Sequence, residues 1–317
     1  MNKMEVVTYN KFLGVYSSGD SQDIPKPEGA IALVTADNMD INKYFKLKSR
    51  PGRTLKLSGD YKNLWSDGSV IFATIDNDLY KLVLNQDLTM SATLIQQNVG
   101  PGIMNYASIG ELAYMTNDTN IYAYQDSAIR ALRTTTNQFR KTMPPGYLLE
   151  LHRSRMFIAK TIQTFDSDSA YKRTQEILMQ SEAGNYERYD TRDDKSWQSF
   201  PTRLTMIKSV GDGLFVSADK TYFLKGSFLG PNGMTLTKVD NSSAIFGTAK
   251  KIRGAMIAGE YYDNAVLWET ELGICVGGSG GRFKYLTEGR KDKSTASIGA
   301  SYIKRGEINQ YVVNKKG

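Results

Sequence analysis

Leu64-Trp65-Ser66-Asp67-Gly68-Ser69-Val70-Ile71-Phe72-Ala73-Thr74-Ile75-Asp76-Asn77-Asp78-Leu79-Tyr80-Lys81-Leu82 decides how the rest of the chain is read. β-branched and aromatic residues fill short runs, and the breaks between them fall at Asp67-Gly68 and Asp76-Asn77-Asp78. Asn and Asp tolerate left-handed backbone angles and hydrogen-bond to their own backbone, so these breaks are turns with a mechanism. The pattern returns downstream. Gly68 to Tyr80 spans 12 residues and Gly110 to Tyr122 spans 12 again, while Leu79-Tyr80 and Ile121-Tyr122 lie 42 residues apart. A weaker copy runs from Asp212-Gly213-Leu214-Phe215-Val216, through Ala218-Asp219-Lys220, to Thr221-Tyr222-Phe223-Leu224. A self-similar period of about 40 to 45 residues is the sequence signature of a β-propeller blade.

Outward from that stretch, successive units are expected at 30–59, 61–99, 102–139, 144–200, 202–243 and 257–290, with a partial unit at 295–317. The expectation is an all-β chain, 1–317, forming a single β-propeller of about seven blades, with six or an irregular ring as the alternative counts. N- and C-terminal strands would close the ring, which removes exposed sheet edges. Glu5-Val6-Val7-Thr8-Tyr9 reads as the N-terminal strand, and a polar arm follows at 17–29. Residues 161–200 read as long inserted loops, where a rigid scaffold places its contacts. A last hairpin is expected around Lys304-Arg305-Gly306-Glu307.

The composition is that of a globular protein, 40% hydrophobic and 23% charged. Forty basic against 33 acidic residues leave a net charge of +7, which permits contact with nucleic acid without requiring it. A single cysteine, Cys275, rules out an internal disulfide framework. No stretch approaches the ~20 apolar residues of a membrane helix, so no membrane partner is expected. The N-terminus has no signal-like apolar run, and synthesis in a cytoplasm is the expectation.

Chemistry is sparse. The only histidine, His152, would have to carry any Ser-His-Asp or Cys-His arrangement. Its neighbours Arg153 and Arg155 suggest a solvated turn. Cys275, between Ile274 and Val276, reads as a small core residue. Gly277-Gly278-Ser279-Gly280-Gly281-Arg282 lacks the Gly-Lys-Ser/Thr ending of a phosphate loop and reads as a hairpin turn. One His and one Cys cannot build a structural zinc site, and no catalytic, cofactor-binding or metal residue is assigned. Lys46, Lys48, Arg50 and Arg53 form a basic strand–turn–strand unit, the candidate phosphate-contacting stripe.

Two stretches carry a family resemblance. Asn38-Met39-Asp40-Ile41, then Lys46-Leu47-Lys48-Ser49-Arg50-Pro51-Gly52-Arg53-Thr54-Leu55, then Leu64-Trp65-Ser66-Asp67-Gly68 resemble in order and spacing the N-terminal part of a family of tailed-bacteriophage virion proteins. Ser49 and Arg53 depart from its Arg-Arg-Pro-Gly-aromatic turn. Trp268, Gly273, Ile274, Cys275 and Gly277, followed by Leu286-Thr287-Glu288-Gly289-Arg290, resemble a second motif of the same family. The likeness covers both ends of the chain and fades between 160 and 200.

The resemblance implies a non-enzymatic structural subunit in the virion tail, without cofactor, in a ring (nozzle, hub or head-to-tail connector) around the DNA exit channel. Implied partners are copies of itself, as a hexamer, the portal or adaptor and other tail proteins, and transiently genomic DNA during ejection. Candidate interface residues are Asp20, Asp23 and Lys26 of the arm, and Asp166, Asp168, Arg192, Asp193 and Asp194 of the long connection. The alternative, from another class, is a propeller-type carbohydrate-binding protein or glycoside-active enzyme built on paired carboxylates.

Overall fold

The computed structural model describes residues 11–15, 30–33, 39–41, 47–49, 57–132, 141–165, 172–189, 197–226, 233–257, 259–287, 297–305 and 308–315. Among these residues the chain is all-β, with one three-residue 3-10 turn at Ser279–Gly281. Near the N-terminus β1 (Lys11–Val15) pairs in parallel with β2 (Ala30–Leu33), and β3 (Met39–Ile41) pairs with β4 (Leu47–Ser49).

Four-stranded antiparallel meanders then follow one another. The first holds β5 (Lys62–Ser66), β6 (Ile71–Ile75), β7 (Asp78–Leu84) and β8 (Met90–Gln96). The second holds β9 (Asn105–Ile109), β10 (Leu112–Asn117), β11 (Asn120–Gln125) and β12 (Ala128–Ala131). After β13 (Lys141–Thr142), the third is built from β14 (Leu148–His152), β15 (Arg155–Phe165), β16 (Lys172–Gln180) and β18 (Trp197–Phe200). The intervening β17 (Arg188–Tyr189) pairs with β13. The fourth comprises β19 (Met206–Val210), β20 (Gly213–Ser217), β21 (Thr221–Gly226) and β22 (Met234–Asp240). The fifth comprises β23 (Lys250–Ile257), β24 (Glu260–Thr270), β25 (Gly273–Gly278) and β26 (Arg282–Tyr285), and β27 (Ser297–Arg305) and β28 (Ile308–Lys315) close the chain as a hairpin.

This is a β-propeller-like succession of five blade-type sheets. The count of seven is corrected to five. Among the described residues, 30–59 holds β2, β3 and β4, which form only two-stranded pairings (β1 with β2, β3 with β4), and 297–315 holds β27 and β28, paired with each other. Two strands cannot make a blade however well they fit the period. The terminal hairpin itself lies where it is expected, while the expected N-terminal strand Glu5–Tyr9 falls outside the described residues. A second correction concerns 161–200. Residues 161–165 and 172–180 are not loop: β15 and β16 pair continuously from Phe157↔Gln180 to Phe165↔Lys172.

The chain divides into two compact units: residues 55–243 with 279–281, which hold the first four sheets, and the remainder, which holds the fifth. In the first unit the turns obey the local chemistry of their residues. Asp67 Oδ1 accepts from the Ser69 N–H at 2.9 Å, the Ser69 hydroxyl at 2.7 Å and the Val70 N–H at 3.1 Å, which closes the β5–β6 turn. Asp76 turns β6 into β7 with φ 52°, and Asp126 and Ser127, at 50° and 64°, form the two-residue turn between β11 and β12. Between sheets the core is apolar. Phe72, Leu79, Tyr106, Met115 and Tyr124 form one buried cluster, and Tyr114, Leu149, Met156, Ile158 and Tyr189 another. Trp65, half-buried, lies parallel to Tyr106 at 5.3 Å, so the first sheet meets the second through stacked rings.

In the second unit Trp268 and Cys275 are directly paired across β24 and β25, and both are fully buried. Ile252, Tyr262, Leu267 and Val276 complete the core of that sheet.

Candidate functional site: a polar seam between inner strands

β14 packs beside β9 on one side and β19 on the other, so the first strands of consecutive sheets lie next to each other. Along β14 the side chains alternate. Leu149 and Leu151 join the apolar cluster, which places Leu148, Glu150 and His152 on the opposite face. That face is turned to β19. Glu150 Oε1 accepts the Ser209 N–H at 3.1 Å, and its Oε2 lies 3.3 Å from Lys208 Nζ. His152 Nδ1 stands 2.8 Å from Ser209 Oγ. Glu150 and His152 are each 5% exposed.

His152 therefore does not sit in a solvated turn. The turn is Arg153-Ser154, with Arg153 left-handed at φ 53°, and His152 pairs with Arg155 across it. Alternation carries the imidazole inward while the adjacent arginine stays out. A serine beside a histidine is also the arrangement of a nucleophile and its base. In acyl transfer, backbone N–H groups near the nucleophile face the developing oxyanion. Here the Ser209 N–H is donated to the Glu150 carboxylate. The seam joins two sheets, and its buried carboxylate accepts a backbone N–H and faces an ammonium.

Similar polar contacts join the other sheets of this unit. Lys81 Nζ donates to Tyr124 Oη at 3.1 Å, tying the first sheet to the second. Asn105 Nδ2 donates to the Tyr147 carbonyl at 2.7 Å. Tyr147 donates to Glu176 Oε2 at 2.6 Å and accepts from the Leu204 N–H at 3.1 Å. The Arg203 guanidinium lies 3.8 Å over the Tyr147 ring and pairs with Asp118 at 2.7 Å. Burial first, and then the Glu176 hydrogen bond, push the Tyr147 hydroxyl well above the ordinary phenol range. Tyr114 donates to Glu187 at 3.0 Å, and Arg130 pairs with the same carboxylate. Burial opposes ionisation of Glu187, but the Arg130 and Tyr114 hydrogen bonds together with the Arg130 charge outweigh it and hold the carboxyl below its ordinary value.

The assigned sequence candidates fall elsewhere. Asp20, Asp23, Lys26, Lys46, Arg50, Arg53, Asp166, Asp168, Arg192, Asp193 and Asp194 lie outside the described residues, and Lys48 is placed on β4 by its backbone alone. Cys275 is the buried core residue the sequence suggests. Gly277–Arg282 is a hairpin connection, with the Gly280 N–H donated to Asp212 Oδ1 at 2.8 Å. Sequence reasoning missed Glu150, Lys208 and Ser209. Their only local signal is the i, i+2 pair Glu150 and His152 within an otherwise leucine-rich strand. Among the described residues no three His, Cys, Asp or Glu side chains gather to hold a metal ion, and no helix is long and apolar enough to cross a membrane.

No family model matches the chain, and no curated protein matches it. Some solved structures are similar to it. The N-terminal domain of Nup159 is 10% identical with a TM-score of 0.47, over 86% of this chain and 75% of that one. A functionally unknown protein from Desulfotomaculum acetoxidans is 17% identical with a TM-score of 0.42, over 73% and 70%. PorZ, a bacterial surface component of the type-IX secretion system of Porphyromonas gingivalis, is 10% identical with a TM-score of 0.38, and the match spans 83% of this chain but 39% of PorZ.

Proposed function

We propose that the chain is a non-enzymatic structural subunit of a tailed-bacteriophage virion, assembled as a ring at the tail or head-to-tail junction around the DNA exit channel. The observation that carries this reading is the pair of sequence motifs at the two ends of the chain. Their described parts occupy positions that matter to the fold. Asp67 closes the first turn of the first four-stranded sheet, and Trp268 pairs with Cys275 at the centre of the fifth. The polar contacts between sheets favour a stiff scaffold, in which buried polar groups are spent on joining strands. A closed ring requires heterologous contacts, in which two different patches of each subunit meet. The arm with Asp20, Asp23 and Lys26 and the connections with Asp166, Asp168 and Arg192–Asp194 are the proposed patches. Lys46, Lys48, Arg50 and Arg53 are the proposed contacts to passing DNA, an interaction that weakens steeply with salt.

Mass spectrometry and electron microscopy of purified particles test the proposal. The expected result is this chain at a fixed copy number, with ring density on the tail axis. Absence of the chain from the particle overturns it. Density in a ring whose neighbours touch through neither segment overturns the interface assignment and leaves the role standing.

A further inference from the structure

The outer strand of a sheet presents unpaired backbone groups, and proteins protect such edges with charge, with proline or by keeping them short. β12 carries Arg130, β22 carries Lys238 and Asp240, β26 carries Arg282 and Lys284, and β18 is four residues long. β8 is different. It is the terminal strand of its sheet, seven residues long, and reads Met-Ser-Ala-Thr-Leu-Ile-Gln, with neither charge nor proline. No Asp, Glu, Lys, Arg or His occurs from Leu88 to Gly110.

Register with β7 sets Met90 opposite Leu84, Ala92 opposite Leu82 and Leu94 opposite Tyr80, so one face of the hairpin is apolar out to its edge. Leu84 is 57% exposed and Leu94 41%. At the hairpin tip Leu88 is 61% exposed and left-handed, with φ 63°. Leucine is costly in that conformation, where glycine or asparagine is usual.

We propose that β8 pairs antiparallel with β8 of a second copy, about a two-fold axis through Thr93. The strand is self-complementary about that residue. Thr93 meets Thr93, Ala92 and Leu94 meet each other on the apolar face, and Ser91 meets Ile95. Charge allows this pairing. Asp87, the one charge on the β7–β8 turn, lies beyond the ends of the paired strands, and its carboxylate is already held by the Thr89 N–H and hydroxyl. No charged residue lies within β8 itself, so like charges never face each other along the paired strands. The result is one eight-stranded sheet across two molecules, an isologous contact. It is independent of the ring proposed above, since it is read on the purified chain and the ring on particles.

Sedimentation equilibrium of the full chain at micromolar concentrations is expected to show a monomer–dimer equilibrium. Thr93→Lys sets two ammonium groups directly opposite each other and weakens the dimer at least tenfold, with unchanged circular dichroism and, at concentrations where both proteins are monomeric, an unchanged denaturation midpoint. Thr93→Cys forms a disulfide-linked dimer on mild oxidation, because Thr93 faces its own copy; the native Cys275 is buried and stays silent. Leu88→Cys does not link, since the two copies of residue 88 stand about 33 Å apart along the paired strands at roughly 3.3 Å per residue. A monomer at all concentrations, a dimer indifferent to Thr93→Lys, or equal cross-linking through Leu88→Cys overturns the proposal. So does a chain that stays monomeric and takes up a different protein along β8.

Discussion

His152 Nδ1 lies 2.8 Å from Ser209 Oγ, and this contact joins the first strand of one sheet to the first strand of the next. Neither residue is remarkable in its own segment. Together with Glu150 and Lys208 they make a polar strip inside a largely apolar interface, where each group is useful only while its partner stays in place. Removing one partner from such a set leaves another buried polar group unanswered, and that costs more than the bond itself contributes.

His152→Ala should therefore destabilise the protein by about 2 kcal/mol. Urea denaturation followed by tryptophan fluorescence measures it. Ser209→Ala in the His152→Ala background should add less than it does alone, since both act on one contact. Additive losses would show that the two residues are not coupled.

Glu187 gives the first unit an acid-sensitive point. Its folded carboxyl lies below the ordinary value of 4.5, so the Arg130–Glu187–Tyr114 cluster contributes stability above that pH. The contribution is lost as pH falls through the depressed folded value. Thermal melting between about pH 5 and about pH 3 should show a steeper loss in the wild type than in Glu187→Gln, which starts lower and is flatter. Parallel pH profiles would contradict the assignment.

Gly146 has no room for a side chain. A Cβ there would run into Ile158 Cγ2 and the Ala159 carbonyl oxygen, whereas at Gly184 nothing lies within 4 Å. Gly146→Ala should cost about 2 kcal/mol or more through overpacking. Gly184→Ala, at φ 72°, should cost only about 1 kcal/mol of backbone strain. Equal midpoints in chemical denaturation would be inconsistent with these environments.

Leu88 offers the opposite sign. Replacing it by glycine removes the left-handed penalty and an exposed aliphatic side chain, against the greater unfolded-state freedom of glycine. Leu88→Gly should stabilise the fold by about 0.5 kcal/mol, read as a higher midpoint at fixed protein concentration.

Cys275 should be a silent thiol in the native state. It is fully buried beside Thr270 and Gly273, with Trp268 opposite. Reaction with a chromogenic disulfide should be slow in buffer and immediate in denaturant. Rapid native labelling would mean that the β24–β25 pair opens readily.

The sequence by itself determined what is local. Asp67-Gly68 and Asp76-Asn77 make their turns through bonds and backbone angles internal to a few residues, so the hairpins and the all-β class follow from the text. Cys275 could be placed in the core because apolar neighbours on its own strand accompany it. The tertiary structure decided what depends on distant partners. Blade count depends on how many strands find neighbours, and among the described residues the segments 30–59 and 297–315 form only two-stranded pairings. Residues 161–165 and 172–180 became strands because pairing continues the register of β15 and β16, which composition does not reveal. The burial of His152 was set by Ser209, 57 residues away along the chain. A side chain's exposure belongs to the sheet that packs against it, and in this protein that sheet is encoded in the next repeat.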